Sequence, residues 1–300
     1  MIFASIDIGS NAGRLLIATV YERYGRSFVD KATLVRVPLR LGMEVFEKGY
    51  IPEEKVVKLI KTLKAFNLLI DVYEPISVAA CSTAAMREAS NNIEVQKRIK
   101  NETGISLEII DGLEEAKIIS KSTKANMQLI YDDTLYIDVG GGSTEISFFR
   151  EGAFVKSKSF AIGTIRLLLD KVPSTEWDEL KNWIQEIRQS QGEVNCICSG
   201  GNINKLTKLF GDVDDYTISR AQLWKAYDTL SAMSIEERMS DMGMRQDRAD
   251  VIVPAALIFK KIMKWGKISN LMAPRIGLAD GLAIRQFKAH KRKLFEAEKK

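Results

Sequence analysis

Two short phrases carry the residue types that handle phosphate. They are Asp7-Ile8-Gly9-Ser10-Asn11 and Asp138-Val139-Gly140-Gly141-Gly142-Ser143-Thr144-Glu145. Each follows a short apolar run and precedes another, so each reads as strand, Asp-x-Gly turn, strand. A tip built of glycine and small polar residues lets backbone N–H groups approach an anion closely. Gly9, Ser10 and Asn11 form one candidate cradle; Gly140, Gly141, Gly142, Ser143 and Thr144 form the other. Neither Asp7 nor Asp138 can meet a phosphate directly, because like charges repel. An acidic side chain beside a phosphate holds a hydrated magnesium or orients water. That role is expected of Asp138 first and Asp7 second. A tight hairpin is the plain alternative for either tip alone. The recurrence of the phrase favours two related domains that hold one phosphate chain.

The remaining chemistry is narrow. The one histidine, His290, sits in a basic tail, and Cys81, Cys196 and Cys198 show no C-x-x-C spacing. A zinc hydrolase centre, a Ser-His-Asp triad and a Cys-His pair are therefore excluded. The odd cysteine count argues against a disulfide framework, and the apolar surroundings make all three core residues. Hydrolysis must run on carboxylates, backbone donors, arginines and bound magnesium. Gly112-Leu113-Glu114-Glu115-Ala116 supplies the first candidate base, Glu115, with Glu145 second. The ordinary reading of Glu114 and Glu115 is complementation of a helix dipole. Arg14 follows the first tip, and Ser82, Thr83 and Arg87 surround a helix start; these are candidate phosphate contacts. Arg166 follows Gly163-Thr164. Ser199-Gly200-Gly201-Asn202 is either a nucleotide-sugar contact or a tight strand-to-helix connection.

The elements that position these residues alternate. Strands are expected at 3–7, 14–22 and 32–38, a helix over 52–71 and a buried strand at 76–81. Helices follow through Met86 and Arg87, over 92–102 ending at Gly104, and from Leu113 to about Thr123, with a strand at 107–110. The order then repeats. Strands are expected at 135–138, 145–150 and 153–160, helices near 163–169 and 175–189, and a strand at 196–198. Further helices are expected over 203–209, 219–232, 235–239 and 249–265, then a strand at 268–272 and a helix from Leu278. This is α/β architecture with a duplicated domain. The boundary is expected where the chain turns polar, between Lys121 and Asp133, giving domains 1–124 and 125–300. The last helix is a candidate to pack back on the first domain. The apolar pattern of 249–263 suits a homodimer.

With 300 residues, 46% hydrophobic and 28% charged, the chain is long enough for two cored domains. No apolar run approaches the roughly 20 residues of a membrane span. The opening MIFASIDIGSN lacks the features of a signal peptide and reads as a strand, so a cytoplasmic location without membrane contact is expected. The net charge of +5 is modest and sits partly in the tail at 288–293 and 299–300. No aromatic-basic interleaving accompanies it, so nucleic acid is not an expected partner.

Together DIGSN with Arg14, CSTAAMREA with Arg87, the GLEEA box, DVGGGSTE, FAIGTIRL and RADVI at 248–252 resemble the exopolyphosphatase and guanosine pentaphosphate phosphohydrolase family. The resemblance covers most of the chain up to about residue 285. It implies two ribonuclease-H-like domains of the actin, sugar kinase and heat-shock chaperone ATPase superfamily, with a polyphosphate cleft between them. It implies that Glu115 activates the attacking water, that Asp138, Gly140 and Glu145 arrange Mg2+ and phosphate, and that Arg14 and Arg87 hold the anionic chain. A monovalent cation such as K+ is a further candidate cofactor. The implied reaction releases terminal phosphate from polyphosphate, or converts guanosine pentaphosphate to tetraphosphate. Family members carry an arginine in a turn near the C-terminal helix, where this chain has Ala279, and Arg275 is a candidate substitute. The chain resembles the short form without a C-terminal HD domain. The competing reading is a catalytically weak, nucleotide-binding regulatory protein of the same fold. A sugar or acid kinase fits less well, since a kinase has no use for a water-activating base.

Overall fold

The computed structural model describes residues 1–126, 133–191 and 194–298. The chain divides into two compact units, Met1–Leu129 with Gly277–Lys300, and Ile130–Ile276. The second unit thus ends before the last helix, which belongs with the first. Residues 127–132 of the expected boundary segment between Lys121 and Asp133 lie outside the described residues.

The first unit runs β1 (Ile2–Ile8), β2 (Gly13–Arg23), β3 (Arg26–Val37), α1 (Leu41–Lys48), α2 (Glu53–Tyr73), β4 (Val78–Ser82), α3 (Ala84–Glu88), α4 (Asn92–Thr103), β5 (Glu108–Ile109) and α5 (Gly112–Asn126). The second runs β6 (Asp133–Val139), β7 (Thr144–Arg150), β8 (Ala153–Phe160), α6 (Thr164–Leu168), α7 (Ser174–Gln191), β9 (Asn195–Ser199), α8 (Gly201–Phe210), β10 (Thr217–Ser219), α9 (Arg220–Ala232), α10 (Ile235–Ser240), α11 (Gln246–Ala249), α12 (Ile252–Gly266) and β11 (Asn270–Met272). Helix α13 (Leu278–Glu298) follows and packs on α5, β1 and β2.

The duplication is visible in the sheets. The first has strand order β3-β2-β1-β4-β5 and the second β8-β7-β6-β9-β11-β10. In each, an antiparallel meander leads to a central strand whose other neighbour is parallel to it. The meanders share a second signature. Tyr24-Gly25 joins β2 to β3 and Glu151-Gly152 joins β7 to β8, and all four residues have positive φ. Two positive-φ central residues are what a type I′ hairpin turn demands.

Strand β1 is buried on both faces, with Ile6 and Ile8 on one and Ser5 and Asp7 on the other. Ile6, Ile8 and Leu15 join a core with Leu59, Leu63 and Phe66 of α2. On the other face Cys81 packs with Ile118, Leu278 and Leu282, from α5 and α13. In the second unit, α12 lies in the core, with Ile252, Ala256, Phe259, Ile262 and Met263 fully enclosed. The apolar face expected to suit a dimer is therefore spent inside the unit. All three cysteines are free and buried. Among the described residues no helix is long and apolar enough to cross a membrane.

Four elements differ from expectation. Helix α1 has too few apolar repeats to be read, and it is entered through Arg40 at φ 56. Strand β3 begins at Arg26, because the Tyr24-Gly25 turn extends the hairpin. Thr217–Ser219 is a strand, and Ser219 ends it as the N-cap of α9 in a capping box. The helix expected over 249–265 begins at Ile252 as α12, and a separate short helix, α11, precedes it. Pro254 has no N–H to donate backward, so it sits in the first turn of α12, where that donor is not needed.

Candidate active site

Each unit carries its glycine turn at the end of its central strand. In the first, the Gly9 N–H donates to the Ala12 carbonyl at 3.0 Å and closes the turn. The carbonyls of Ser10 and Asn11 accept from the N–H groups of Gly42 and Arg40, at 2.8 and 2.9 Å. The start of α1 therefore fixes the turn from outside. Arg14 and Asp7 are paired across the hairpin, with Nη1 to Oδ2 at 2.7 Å. Asp7 is buried and its charge is met by that guanidinium, which weakens it as a metal ligand relative to Asp138.

At the end of β4, the Thr83 N–H donates to the Ile8 carbonyl at 3.3 Å, and the Thr83 carbonyl accepts from the Arg87 N–H. Arg87 Nη1 donates to the Ile110 carbonyl at 2.9 Å. One donor of this arginine thus holds the strand that leads into α5. Ser82 is fully enclosed, between Ile8 and Ile109 in the sheet register, and its hydroxyl has no partner among the described residues. Its place is inside the sheet rather than on an open surface.

Helix α5 begins where Asp111 Oδ1 accepts from the Glu114 N–H at 2.8 Å. That N-cap leaves Glu114 half-exposed and turns Glu115 inward, 7% exposed. Burial raises the Cys81 thiol well above its ordinary pKa, and the carboxylates of Asp7 and Glu115 push it the same way. Ile118 and Ile119 of α5 pack with Cys81, the register partner of Asp7, so α5 covers the face of the sheet that carries Asp7.

In the second unit the triple-glycine turn is held by α6. The Gly140 N–H donates to the Ser143 carbonyl at 2.9 Å. The N–H groups of Thr164 and Ile165 donate to the carbonyls of Gly140 and Gly141, at 3.0 and 2.9 Å. Arg166 Nε donates to the Gly142 carbonyl at 2.6 Å, and Thr144 Oγ1 to the Ile162 carbonyl at 2.6 Å. With its carbonyls bonded to α6, the turn directs the amides of Gly141 and Gly142 away from that helix, as an anion cradle requires. Gly163 makes this approach possible. A Cβ there would run into the backbone of Gly141 and Gly142, closer than any real Cβ contact.

Asp138 and Glu145 are direct partners in the β6–β7 register, and their carboxylate oxygens lie within 4.8 Å. Glu145 is 2% exposed. Each is flanked by a serine on the next strand. Ser199 Oγ donates to Asp138 Oδ1, and Ser159 Oγ donates to Glu145 Oε1 at 2.8 Å. The row across the sheet is Ser159, Glu145, Asp138, Ser199. The equivalent row in the first unit is Arg36, Arg14, Asp7, Cys81. The duplicated position thus carries a salt bridge in one unit and an acid pair in the other. Glu145 is buried and Asp138 half-buried, and two like charges directly opposite each other in a sheet favour a cation or a proton between them. The donor set is all oxygen, which suits Mg2+.

The turn residues therefore fall at two strand ends, with Asp138 and Glu145 side by side in one unit and Glu115 buried at the start of α5 in the other. Arg275 lies over the Tyr216 ring, and Ala279 packs on Leu16 and Ala18. Sequence reasoning missed Ser159, Ser199 and Gly163 as supports. The strand register places the first two, and FAIGTIRL contains the third.

A duplicated α/β fold, a glycine turn in each unit and the adjacent acids Asp138 and Glu145 are features that suit phosphate chemistry. Residues 32–290 match the Ppx/GppA phosphatase family, and the chain belongs to that family. A bifunctional 3-dehydroquinate synthase/phosphatase of Fusobacterium nucleatum is 32% identical over 287 residues, covering 87% of this chain but 43% of that protein. Exopolyphosphatase 1 of Mycobacterium leprae is 23% identical over 94% of this chain and 88% of its own length. Among solved structures, the Aquifex aeolicus Ppx/GppA family member superposes with a TM-score of 0.76 at 25% identity, covering 97% and 98% of the two chains. An exopolyphosphatase from Cytophaga hutchinsonii reaches 0.83 at 23% identity, over 96% and 98%, which bears on the fold.

Proposed function

We propose that the chain is a magnesium-dependent phosphoanhydride hydrolase that removes terminal phosphate from inorganic polyphosphate, guanosine pentaphosphate or both. The observation that carries this reading is the acid pair Asp138–Glu145 beside a triple-glycine turn whose carbonyls are bonded to α6. Family membership and the exopolyphosphatases among its relatives support the substrate class.

In this reading Asp138 and Glu145 hold Mg2+, which supplies positive charge to the phosphoryl oxygens. The amides of Gly9–Asn11 and Gly140–Thr144 bind and orient the phosphate chain. Arg87 lends its remaining guanidinium donors to phosphate. Arg14 balances Asp7 and adds positive charge at the first turn. Glu115 takes the proton of the attacking water, the role left to a buried carboxylate when no histidine is at hand.

One observation favours a second reading, a nucleotide-binding protein with weak turnover. Ala279 is enclosed against the sheet and offers no guanidinium where the family carries one. Phosphate release from polyphosphates of defined length and from guanosine pentaphosphate, with and without Mg2+, separates the two. The hydrolase reading expects Mg2+-dependent release from at least one substrate. Tight nucleotide binding without release from any would replace it.

A further inference from the structure

We infer that Ser199 is a positioning residue that fixes the Asp138 carboxylate for its cation. The inference rests on the metal assignment proposed above. Ser199 ends β9 and is the direct register partner of Asp138, and its hydroxyl donates to Oδ1. A serine hydroxyl has one proton to give. Giving it to Oδ1 sets the plane of the carboxylate, and with it the direction in which Asp138 offers its oxygens.

The chain after Ser199 is built to keep that hydroxyl in place. Gly200 stands at φ +110, and a Cβ there would lie 3.4 Å from Asp138 Oδ1 and 3.3 Å from the Val139 carbonyl. The turn therefore runs against the carboxylate at a distance only glycine permits in that conformation. Arg248 Nη1 donates to the Gly201 carbonyl, and a Cβ on Gly201 would lie 2.8 Å from Nη2. One guanidinium thus braces the turn from its far side.

The first unit provides the comparison. The residue opposite Asp7 is Cys81, whose thiol is a weak donor, and Asp7 is held by Arg14 instead. The strong hydroxyl donor occurs in the unit whose aspartate faces a second acid. This arrangement also assigns Ser199-Gly200-Gly201-Asn202 a role at the acid pair, distinct from a nucleotide contact.

The test is Mn2+ binding to the whole protein without substrate, read by the electron paramagnetic resonance of free Mn2+. Ser199→Ala should weaken Mn2+ binding on the order of 10-fold, the usual scale for losing a hydrogen bond to a metal ligand. Its thermal midpoint without metal should match wild type. Ser199→Thr, which keeps the hydroxyl, should restore binding. Ser199→Cys, which places a thiol where the first unit has Cys81 beside Asp7, should fall between alanine and wild type. Wild-type affinity in a folded Ser199→Ala or Ser199→Cys protein overturns the inference alone. A wild-type protein that binds no Mn2+ overturns the metal assignment and this inference together.

Discussion

Asp138 and Glu145 face each other across β6 and β7 at the register position where the first unit pairs Asp7 with Arg14. A duplicated sheet has kept its geometry and replaced a salt bridge with two like charges. Two like charges directly opposite each other cost the sheet stability, and a cation bound between them would offset that cost.

The first prediction follows from that cost. A ligand bound only by the native state raises its stability. The thermal midpoint of wild type should therefore rise with Mg2+ and fall with a chelator. Asp138→Asn removes one charge of the pair. Without metal it should be at least as stable as wild type, and its midpoint should respond far less to Mg2+. Thermal melts with and without Mg2+ check both statements. An Mg2+ response equal to wild type would remove Asp138 from the site.

Gly163→Ala places a methyl group into the backbone of Gly141 and Gly142. Overpacking of this kind costs about 1–3 kcal/mol. The turn that binds phosphate must move to relieve it. The urea midpoint should fall, and phosphate release should fall further than the stability loss explains. A variant as stable and active as wild type would show that the clamp between α6 and the triple-glycine turn is dispensable.

Alkaline pH should destabilise the fold. Burial pushes Tyr136 up to about 12 from its ordinary 10.0, and burial raises the thiols of Cys196 and Cys198 as well. A group with a raised native pKa is protonated in the native state after it has ionised in the unfolded chain. Its contribution is complete below the unfolded pKa and drains away as pH rises toward the native one. Tyr136 alone amounts to about 3 kcal/mol in that limit. The thermal midpoint should hold steady to about pH 7.5 and decline above about pH 8, where unfolded cysteines, with an ordinary pKa of about 8.5, begin to ionise. A midpoint that rises over that range contradicts the assignment. The three buried thiols should also resist an aromatic disulfide reagent at pH 8 until denaturant is added.

Much of this was legible in the sequence because it is local. The two Asp-x-Gly phrases mark the ends of β1 and β6, and the repeated order of strands and helices announces the duplicated α/β fold. The 3.6-residue pattern over 52–71 finds α2, which runs Glu53–Tyr73. What escaped is set by pairing between distant strands. Nothing near Ser159 or Ser199 shows that each lies beside an acid; the register of four strands does. The pairing of Asp7 with Arg14 is local but depends on the register of the β1–β2 hairpin, so the two aspartates read alike although their surroundings differ in charge. Gly163 lies 21 or more positions from the glycines it packs against. Helix α1 was missed because its local pattern is weak, and its start is fixed by bonds to Ser10 and Asn11. Helix α11 was missed because its four residues, Gln246–Ala249, are mostly polar and too few to show a period.

The account stands on a carboxylate that activates water, and release of phosphate by Glu115→Gln tests it most directly. The substitution keeps the shape of the side chain and removes the base. With polyphosphate or guanosine pentaphosphate and Mg2+ present, the variant should release phosphate at least about 100-fold more slowly than wild type while its thermal midpoint is unchanged. Equal rates from the two proteins would contradict the account.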